Sequence, residues 1–463
     1  MRRRKYELGL VGLGVMGRNL LLNMSDHQYA VVGFDKDHSK IKTLSIEGAG
    51  RDIRGTKNIK EFLNHLKTPR AIVILVPAGP AVDDVIRELL PSLVEKDIII
   101  DCGNSHFTDT NLRQKTLTRA GIEFLGVGIS GGEHGARHGP SIMPGGHRYA
   151  YERVRPVFEA VAARVKGEPC VTYLGPGSAG HFVKMVHNGI EYGLMEAIAE
   201  TYDLMKRAIG LNDDDLADVY ERWNDRSFHS YLLEITAHIF CRTDEKTGNR
   251  LIDVILDEAR QKGTGKWTSQ AAMDLQVPVP VVDAAVATRD ISGYKKERET
   301  ASAILKGPPI SFRGKNKIFI DSLEKALHAV FMIVYSQGMA LLRKASDAYG
   351  YELNLADVAR IWRGGCIIRA AMLEDIRSCY EKRPELPNLL LDVSFGQNVA
   401  DNQHELRGTV CAAANMGIPV PVMMAALTYY DSYRSAWMPT SLIQAQRDYF
   451  GAHTYERIDE KGV

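Results

Sequence analysis

Cysteine, long apolar runs and an excess of one charge are all scarce in this chain of 463 residues. The six cysteines are scattered, and no two of them form a C-x-x-C pair. This spacing predicts neither a disulfide framework nor a zinc site, and since no other metal-ligand spacing is present we expect no metal. Scattered cysteines are typical of the reducing cytoplasm, where we expect this chain to act.

The balance of charge limits the partners of the chain. Lysine and arginine number 58 against 57 aspartates and glutamates, which gives a formal net charge of +1. Such a balance creates no field that would attract nucleic acid or an anionic membrane, so we expect neither partner. The longest apolar runs, such as residues 71–76, are too short to span a bilayer. Residues 1–5 are basic but lead directly into an apolar strand, so we expect neither a signal nor a transit peptide.

The composition that remains is that of an ordinary globular protein, with 45% apolar and 25% charged residues. This excludes a disordered chain. The length exceeds what a single hydrophobic core usually supports, so we expect two or three domains.

The first 130 residues alternate apolar runs with helical stretches. Continuous apolar strands separated by helices are typical of a parallel sheet covered on both faces, which predicts an α/β fold for this part. Strands are predicted at residues 7–11, 30–34, 71–76, 97–101 and 123–127, with helical spacing between them, as at residues 81–90.

From about Ser178 long helical segments replace the strands, and this region contains an internal repeat. Leu-Ala-Asp-Val followed by a tryptophan begins at Leu216 and again at Leu355, and Pro-Val-Pro begins at Pro278 and again at Pro419. Because the two motifs recur at nearly equal offsets, the region is predicted to be a duplicated all-helical unit.

These features divide the chain into three expected parts. The first is the α/β domain at residues 1–177, and the second is the duplicated all-helical domain at residues 178–435. Residues 436–463 form a short tail in which Arg, His and Tyr are frequent.

A glycine-rich motif, Gly-Leu-Gly-Val-Met-Gly, follows the first predicted strand and opens a helix. Its first glycine permits a tight turn, its second lets the backbone approach a pyrophosphate, and its third allows close packing of the helix on the strand. An acidic residue, Asp35, ends the next strand, as the motif requires. The context therefore favours a Rossmann-type dinucleotide-binding domain over a plain glycine-rich turn. The residues of the motif are Gly12, Leu13, Gly14, Val15, Met16 and Gly17.

The residues at the end of the second strand bear on the choice of cofactor. A carboxylate at Asp35 accepts hydrogen bonds from the adenosine ribose and repels a 2′-phosphate. Asp37 adds a second negative charge, whereas the ammonium of Lys36 could pair with a phosphate. Two carboxylates against one ammonium favour NAD, with NADP possible; the alternative is that Lys36 and Asp37 form only a solvated turn.

A polar stripe runs along an otherwise apolar helix between residues 181 and 195. Lys184, His187, Asn188 and Glu191 are spaced at i, i+3, i+4 and i+7, which is one helical face. A helix that is apolar elsewhere is buried there, so its polar face must meet solvent, a partner or a ligand. The alternative is an exposed surface pairing of the lysine with the glutamate, to which Asn and His in the middle would add little.

The second copy of the repeat supports the interpretation that this polar face meets a ligand. A buried lysine has a lowered pKa and can act as a base, and a buried glutamate has a raised pKa and can act as an acid. One copy therefore carries an acid–base pair where the other is apolar. In a loose alignment, Leu327, Phe331 and Val334 stand at the places of Lys184, Asn188 and Glu191.

Several loops offer donors to an anion. Asn104 and the stretch Ser130-Gly131-Gly132 follow strands at their carboxyl ends, where open α/β sheets bind ligands. Glycines free backbone N–H groups for a carboxylate or a phosphate, although each loop alone is equally consistent with an ordinary connection. Further cationic or hydroxyl candidates are Lys262, Thr264, Lys266, Arg289, Arg447 and His453.

Together these motifs resemble those of the 6-phosphogluconate dehydrogenase family, the decarboxylating enzymes of the pentose phosphate pathway. The resemblance covers nearly the whole chain, and the last three of the matching segments are specific to this family. The segments are residues 12–17, 128–136, 143–146, 184–192, 261–268 and 444–454.

The resemblance implies the oxidative decarboxylation of 6-phosphogluconate, and a homodimer in which the tail of each chain crosses into the other subunit. By the family pattern Lys184 is the general base and Glu191 the general acid. The residues assigned to the sugar acid are Asn104, Ser130, Gly131, Gly132, His187 and Asn188. Those assigned to its phosphate are Tyr192, Lys262, Thr264 and Arg289, with Arg447 and His453 supplied by the partner subunit. The cofactor-binding candidates are the six residues of the glycine motif with Asp35, Lys36, Asp37, Val76 and Asn104.

Two departures from the family pattern affect these expectations. Many members carry Asn-Arg-Thr, which grips the 2′-phosphate of NADP, where this chain has Asp35, Lys36 and Asp37. This difference puts the usual NADP preference in doubt. The chain also ends at Val463, earlier than many members, so we expect some contacts of the tail to be absent.

Two other functions compete with this one. A non-decarboxylating β-hydroxyacid dehydrogenase shares the glycine motif and a similar lysine, but its substrates lack a phosphate and would not use Lys262, Arg289, Arg447 and His453. A non-catalytic dinucleotide-binding protein would be expected to have lost the acid–base pair, whereas both members of the pair are present.

Overall fold

The computed structural model describes residues 5–460 and 462. The basic start at residues 1–4 and the chain end at Val463 lie outside the described residues. The strands are β1 (Leu8–Val11), β2 (Val31–Phe34), β3 (Ile53–Thr56), β4 (Ala71–Ile74), β5 (Ile98–Asp101), β6 (Glu123–Ser130), β7 (Ser141–Gly146), β8 (Arg164–Val165) and β9 (Glu168–Pro169).

Strands β1 to β7 form one sheet in the order β3-β2-β1-β4-β5-β6-β7. The first six are parallel, and β7 is antiparallel to β6. Both faces of the sheet are buried, since alternate residues such as Leu10 and Val11 belong to separate apolar cores on opposite sides. The helices of this part are α1 (Val15–Asp26), α2 (His38–Glu47), α3 (Ile59–His65), α4 (Pro80–Leu89), α5 (Phe107–Arg119), α6 (Gly132–His138) and α7 (Arg148–Val161).

The α/β architecture is confirmed, but the sheet has two strands more than the five that the sequence predicts. Both added strands, β3 and β7, are edge strands of the sheet. Their sequences, Ile-Arg-Gly-Thr and Ser-Ile-Met-Pro-Gly-Gly, contain glycine or proline, which weaken the strand pattern and are tolerated at an edge. Strand β7 lies beyond the first 130 residues and pairs antiparallel with β6 at one edge of an otherwise parallel sheet.

The rest of the chain is almost entirely helical, as expected, from the first residue of α8 onward. The domain boundaries at residues 177/178 and 435/436 stay predictions. The helices are α8 (Ala179–Ile209), α9 (Asp213–Trp223), α10 (Tyr231–Cys241), α11 (Thr264–Asp274), α12 (Pro280–Ser292), α13 (Lys295–Ile304), α14 (Asn316–Tyr349), α15 (Leu355–Trp362), α16 (Met372–Lys382), α17 (Val393–Met416), α18 (Pro421–Tyr433) and α19 (Thr440–Gly451).

The two long helices α8 and α14 each cap a helix of the other copy. The buried carboxylate of Glu200 on α8 accepts the N–H groups of Val422 and Met423 at the start of α18, at 2.6 and 2.9 Å. On α14, the Gln337 side-chain oxygen accepts the N–H of Val281 at the start of α12, at 3.2 Å. These bonds satisfy N–H groups that a helix start leaves unpaired, and they join the two copies into one body.

Helix α8 lies directly against β6 and β7, because glycines remove the side chains between them. A Cβ at Gly180 would collide with the carbonyl oxygens of Gly126 and Met143, and one at Gly128 would collide with the Lys184 side chain. The close contact fixes the height of Lys184 over the carboxyl end of the sheet.

Among the described residues, no helix is both long enough and apolar enough to cross a membrane.

Gly180→Ala is expected to destabilise the protein, because the added methyl group must push α8 away from the sheet. Overpacking of this kind typically costs about 1–3 kcal/mol. Gly408→Ala is the matched control, since Gly408 also lies within a helix but has open space where a Cβ would be. Thermal unfolding should show a lower Tm for Gly180→Ala and an unchanged or higher Tm for Gly408→Ala. Equal Tm values would contradict the close packing of α8.

Candidate active site

The glycine motif adopts the conformation that its three predicted roles require. Gly12 has a φ of +102°, and a Cβ there would collide with the carbonyl oxygen of Leu75. A Cβ at Gly17 would collide with the Gly12 carbonyl oxygen. Gly14, at the N-terminus of α1, has no atom within 4 Å of its Cβ position. The first and third glycines thus shape the turn, and the second leaves the helix start open to an anion.

Asp35 lies at the rim of this turn, with both carboxylate oxygens held by backbone donors. Its Oδ2 accepts the N–H of Leu13 at 2.8 Å, and its Oδ1 accepts the N–H of Asp37 at 2.9 Å. A cavity of about 480 Å³ opens beside it, lined by the glycine turn, by Lys36 and by Val76. The open helix start, the carboxylate and the cavity together fit a dinucleotide, with Asp35 at the place of the adenosine ribose.

The two residues that follow Asp35, Lys36 and Asp37, make contacts with other parts of the chain. Asp37 caps α2, where its Oδ1 accepts the N–H of Ser39 at 2.9 Å. The exposed Lys36 pairs with Glu88 on α4 at 2.9 Å. Both residues thus have contacts beyond a plain solvated turn, and Lys36 also lines the cavity beside Asp35.

A second ammonium, which the sequence pattern did not predict, lies at this cavity. Lys40 Nζ lies 3.4 Å from Asp35 Oδ2, and Lys40 also lines the cavity. The available signal was Asp37, since an aspartate that caps a helix places the residue three positions later on the first turn, facing back toward the cap.

The polar stripe lies on α8, and its lysine is buried rather than exposed. Lys184 is 6% exposed and His187 is fully buried. Lys184 Nζ lies 3.3 Å from His187 Nδ1, and that nitrogen lies 3.0 Å from Asn188 Oδ1. The alternative of a surface pairing between Lys184 and Glu191 is therefore wrong. In the second copy the matching residues Leu327, Phe331 and Val334 are buried in the apolar core.

Burial displaces both proposed acid–base groups toward the forms that catalysis needs. Burial lowers the pKa of Lys184 from its ordinary 10.5, while the nearby Glu191 carboxylate opposes the shift. Burial raises the pKa of Glu191 from its ordinary 4.5, against the opposing effects of Lys184 and Arg289. Burial and the adjacent lysine hold the pKa of His187 well below 6.5, so its imidazole is neutral. The site thus offers a neutral imidazole between an amine and a carboxyl group.

The loop after β6 meets this stripe. Ser130 Oγ lies 3.1 Å from His187 Nε2, which fixes the imidazole from the side opposite Lys184. Gly131 and Gly132 follow with φ values of +108° and +60°. Asn104, at the end of β5, is exposed and has a φ of +54°. These loops face the cleft from the carboxyl ends of neighbouring strands.

A segment of the second helical copy also reaches the site, and sequence analysis did not predict it. The indole ring of Trp362 packs edge-on against His187, with ring centroids 5.7 Å apart. The Gly365 carbonyl oxygen accepts the N–H of Ser141 at 2.7 Å and occupies the space that a Cβ of Gly131 would need. The buried thiol of Cys366 donates to the Trp362 carbonyl at 3.0 Å. The available signal was the glycine pair Gly364-Gly365, two residues after the repeated tryptophan.

Part of the expected phosphate set is assembled next to Glu191. The Arg289 guanidinium lies over the Tyr192 ring, 3.5 Å from its centroid. Thr264 is the first residue of α11, and the ring of Tyr192 packs against the next residue, Gly265. Lys262, two residues before α11, is exposed. One chain therefore supplies a cation and a helix start at this end of the stripe.

Arg447 and His453 are not brought to this cleft by their own chain. Both are exposed on the tail. Arg447 donates to Gln444 at 2.9 Å, and His453 packs against Phe450, so these contacts lie within the tail.

Comparisons with known proteins agree with this arrangement. The sequence model for the NAD binding domain of 6-phosphogluconate dehydrogenase matches residues 7–175, and the one for the 6-phosphogluconate dehydrogenase C-terminal domain matches residues 180–463. The NADP(+)-dependent, decarboxylating 6-phosphogluconate dehydrogenase of Bacillus subtilis is 50% identical over 460 residues, which cover 99% of this chain and 98% of the relative. The decarboxylating 6-phosphogluconate dehydrogenase of Escherichia coli is 48% identical over 460 residues, with the same coverage.

A solved structure shows the same fold. The 6-phosphogluconate dehydrogenase of Plasmodium falciparum, described in its apo form and in complexes with NADP+ and with 6-phosphogluconate, superposes with a TM-score of 0.94. The two chains are 41% identical, and the match covers 98% of each. With its dinucleotide-binding sheet and duplicated helical part matched over nearly their whole length, the chain belongs to the 6-phosphogluconate dehydrogenase family.

Proposed function

We propose that this chain oxidises and decarboxylates 6-phosphogluconate to ribulose 5-phosphate and carbon dioxide, the reaction of its family in the pentose phosphate pathway. The observation that carries the proposal is the row formed by the buried Lys184, the buried His187 and the half-buried Glu191 beside the Ser130 loop. Burial favours a neutral amine at one end of this row and a protonated carboxyl group at the other. A bound nicotinamide supplies the hydride acceptor.

Lys184 acts first as a base. Its neutral amine takes the proton of the C3 hydroxyl as the hydride leaves C3, and the product is a ketone β to the carboxylate. The Lys184 ammonium then donates to the ketone oxygen while carbon dioxide departs, and so stabilises the negative charge that develops there. His187, fixed between Ser130 and Asn188, keeps the amine at its place.

Glu191 completes the reaction as an acid. Loss of carbon dioxide leaves an enediol, which must gain a proton at C1 to become ribulose 5-phosphate. Because burial raises its pKa, Glu191 retains a proton to donate more readily than an exposed glutamate would. It lies one helical turn beyond His187 along the same face, with its Oε2 3.8 Å from His187 Nδ1.

We propose further that the enzyme is a homodimer that exchanges its tails. The support is the tail itself, in which Trp437, Leu442, Tyr449 and Phe450 are exposed in the single chain. An apolar surface of this kind marks an interaction site, and a partner cleft would receive Arg447 and His453 with it. The six free cysteines fit our proposed location in the cytoplasm.

We also propose that NAD is the preferred cofactor. The support is the position of Asp35, whose carboxylate is fixed by two backbone donors where the adenosine ribose would lie. A 2′-phosphate there would meet a like charge. Lys36 is paired with Glu88, and Lys40 is the ammonium nearest to Asp35. The NADP dependence of the Bacillus subtilis relative makes this preference a point on which the two proteins would differ.

Lys184→Met should lower turnover by about 100- to 10,000-fold, the usual contribution of a general base. The cofactor should still bind, because the glycine turn lies on another part of the sheet. The assay mixes protein, 6-phosphogluconate and NAD or NADP, and follows the absorbance of the reduced nicotinamide and the release of carbon dioxide. A variant that keeps more than about a tenth of the wild-type rate would contradict the role of Lys184.

Lys184→Met should also be more stable than the wild-type protein at low pH. Because burial lowers the pKa of Lys184, the folded protein holds this proton less tightly than the unfolded chain does. The cost of the buried charge is complete below the folded pKa and disappears as the pH approaches 10.5. Thermal unfolding should therefore show a gain from Lys184→Met that shrinks as the pH rises. A gain that grows with pH would contradict the lowered pKa.

Replacing Asp35, Lys36 and Asp37 by Asn, Arg and Thr should reverse the cofactor preference. The wild-type kcat/KM should be greater with NAD, and that of the triple variant greater with NADP, since arginine can grip a 2′-phosphate with two donors. Lys40→Met tests whether the ammonium of Lys40 contributes to NADP binding. This variant should lower kcat/KM with NADP but not with NAD. A wild-type enzyme that prefers NADP would show that Lys36 and Lys40 outweigh Asp35.

Arg447→Ala should raise the KM for 6-phosphogluconate far more than the KM for the cofactor, because a phosphate dianion in a partly dry site needs several donors. Mixing Arg447→Ala chains with Lys184→Met chains tests the exchange of tails. A hybrid dimer with exchanged tails contains one cleft that has both Lys184 and Arg447, so activity should partly return. No recovery in dimers shown to have mixed would contradict the exchange.

A further inference from the structure

A buried arginine on α5 has every donor of its side chain paired. Arg113 is 5% exposed. Its Nε and Nη2 donate to the two carboxylate oxygens of Asp83 at 2.7 and 3.1 Å, and Nη2 also donates to the Gly79 carbonyl at 3.0 Å. Its Nη1 donates to Asp101 Oδ2 at 3.1 Å and to Ser105 Oγ at 2.7 Å. The five N–H groups of a guanidinium thus have five acceptors. These come from two neighbouring segments, the end of β5 with the loop after it and the β4–α4 loop with the first turn of α4.

The first of these loops carries Asn104, a candidate to bind both substrate and cofactor. Asp101 accepts the N–H of Gly103 at 3.0 Å and the hydroxyl of Ser105 at 2.7 Å, so it holds the residue on each side of Asn104. Asn104 itself has a φ of +54°, a conformation that residues other than glycine adopt at a cost. The clamp formed by Arg113 and Asp101 therefore fixes the left-handed backbone of a site residue.

The second loop joins β4 to α4 and borders the dinucleotide cavity. Gly79 ends this loop, Asp83 lies on the first turn of α4, and Val76 lines the cavity. The two loops touch, because a Cβ at Gly103 would lie 2.9 Å from the Val76 carbonyl oxygen. A shift of one loop must therefore displace the other.

The same helix is also tied to the helix that carries the acid–base pair. Thr110, one turn before Arg113 on α5, has its Oγ1 2.7 Å from Nδ1 of the buried His181. His181 precedes Lys184 by one turn of α8. Helix α5 thus connects the Asn104 loop, the cofactor loop and the catalytic helix.

We propose that Arg113 is a positioning residue for hydride transfer. Its side chain holds Asn104 and the Val76–Gly79 loop at a fixed distance from each other. The inference rests on the proposed function, because it requires that Asn104 contact the substrate and that the Val76–Gly79 loop border the nicotinamide cofactor. Arg113 touches neither ligand in this scheme. It acts by holding the two loops together, so its loss misaligns C3 of the substrate with the hydride acceptor.

The same pair of strands supplies a matched control at the opposite end of the sheet. Arg70 precedes β4 and Asp97 precedes β5, and Arg70 Nη1 lies 2.7 Å from the fully buried Asp97 carboxylate. Arg70 also donates to the carbonyl groups of Leu63 and Ser92, both at 3.3 Å. This pair resembles the Arg113 cluster in its chemistry, with a half-buried arginine on a buried carboxylate, but it lies at the opposite end of the strands from the site.

The experiment compares Arg113→Lys with Arg70→Lys in the full-length enzyme. Lysine keeps the positive charge but lacks the planar set of five N–H donors of arginine. Both variants lose hydrogen bonds and should therefore have a lower Tm. Only Arg113→Lys should lower kcat, by about 10- to 100-fold, since small misplacements of reacting groups cost rates of this order. Its KM for 6-phosphogluconate should stay within about threefold, because the phosphate contacts lie elsewhere. With 6-phosphogluconate deuterated at C3, its kinetic isotope effect on kcat should rise, as misaligned hydride transfer becomes the slow step.

Several results would overturn the proposal. One is an Arg113→Lys variant whose kcat lies within about twofold of that of Arg70→Lys. Another is a lowered kcat with an unchanged isotope effect, which would mean only a smaller fraction of folded enzyme. If Arg113→Lys does not fold, Ser105→Ala, which removes one bond of the clamp, is subject to the same criteria.

Failure of the proposed function is seen separately, as absence of wild-type turnover with 6-phosphogluconate. The positional claim is then decided by a ligand-free crystal structure of Arg113→Lys. Departure of Asn104 from positive φ supports the claim, and an unchanged Asn104 overturns it.

Discussion

The burial of one amine against a sheet is the constraint on which the active site depends. Lys184 is buried on α8, where glycines of β6 and β7 allow helix and strand to touch. A charge is costly in such a place, so the amine is pushed toward its neutral form. Ser130 holds the His187 imidazole, and the imidazole in turn holds the Lys184 amine in position.

The duplication of the helical part explains how a buried polar stripe is tolerated. Helix α14 keeps the apolar version of the pattern and supplies the core, while α8 carries the polar residues at the edge of the sheet. The second copy contributes more than packing, because the turn after its repeated tryptophan closes the site around His187 and Gly131. The first copy thus carries the acid–base residues. The second copy supplies residues that enclose the site and the Gln337 side chain that caps α12 at Val281.

Much of this was predictable because it depends on local spacing. The glycine motif and the stripe from Lys184 to Glu191 each lie within a few turns of chain, and the repeat is visible because short motifs recur in identical form. The features that were missed depend on distant residues. The edge strand β7 is specified by pairing with β6, Lys40 reaches Asp35 only through the cap of α2, and Gly365 meets Gly131 across more than 200 residues. The five bonds of Arg113 likewise join loops that no periodicity connects.

The central claim, that burial lowers the pKa of Lys184 and so favours the neutral amine that acts as the base, is tested most directly by the pH dependence of kcat/KM for 6-phosphogluconate. This ratio reports the ionisation of groups in the free enzyme. The account predicts an acid limb whose midpoint lies clearly below 10.5, the ordinary pKa of a lysine, and which is absent from the residual activity of Lys184→Met. A kcat/KM that continues to rise until the pH reaches 10.5 would contradict it, because Lys184 would then titrate as an ordinary exposed amine.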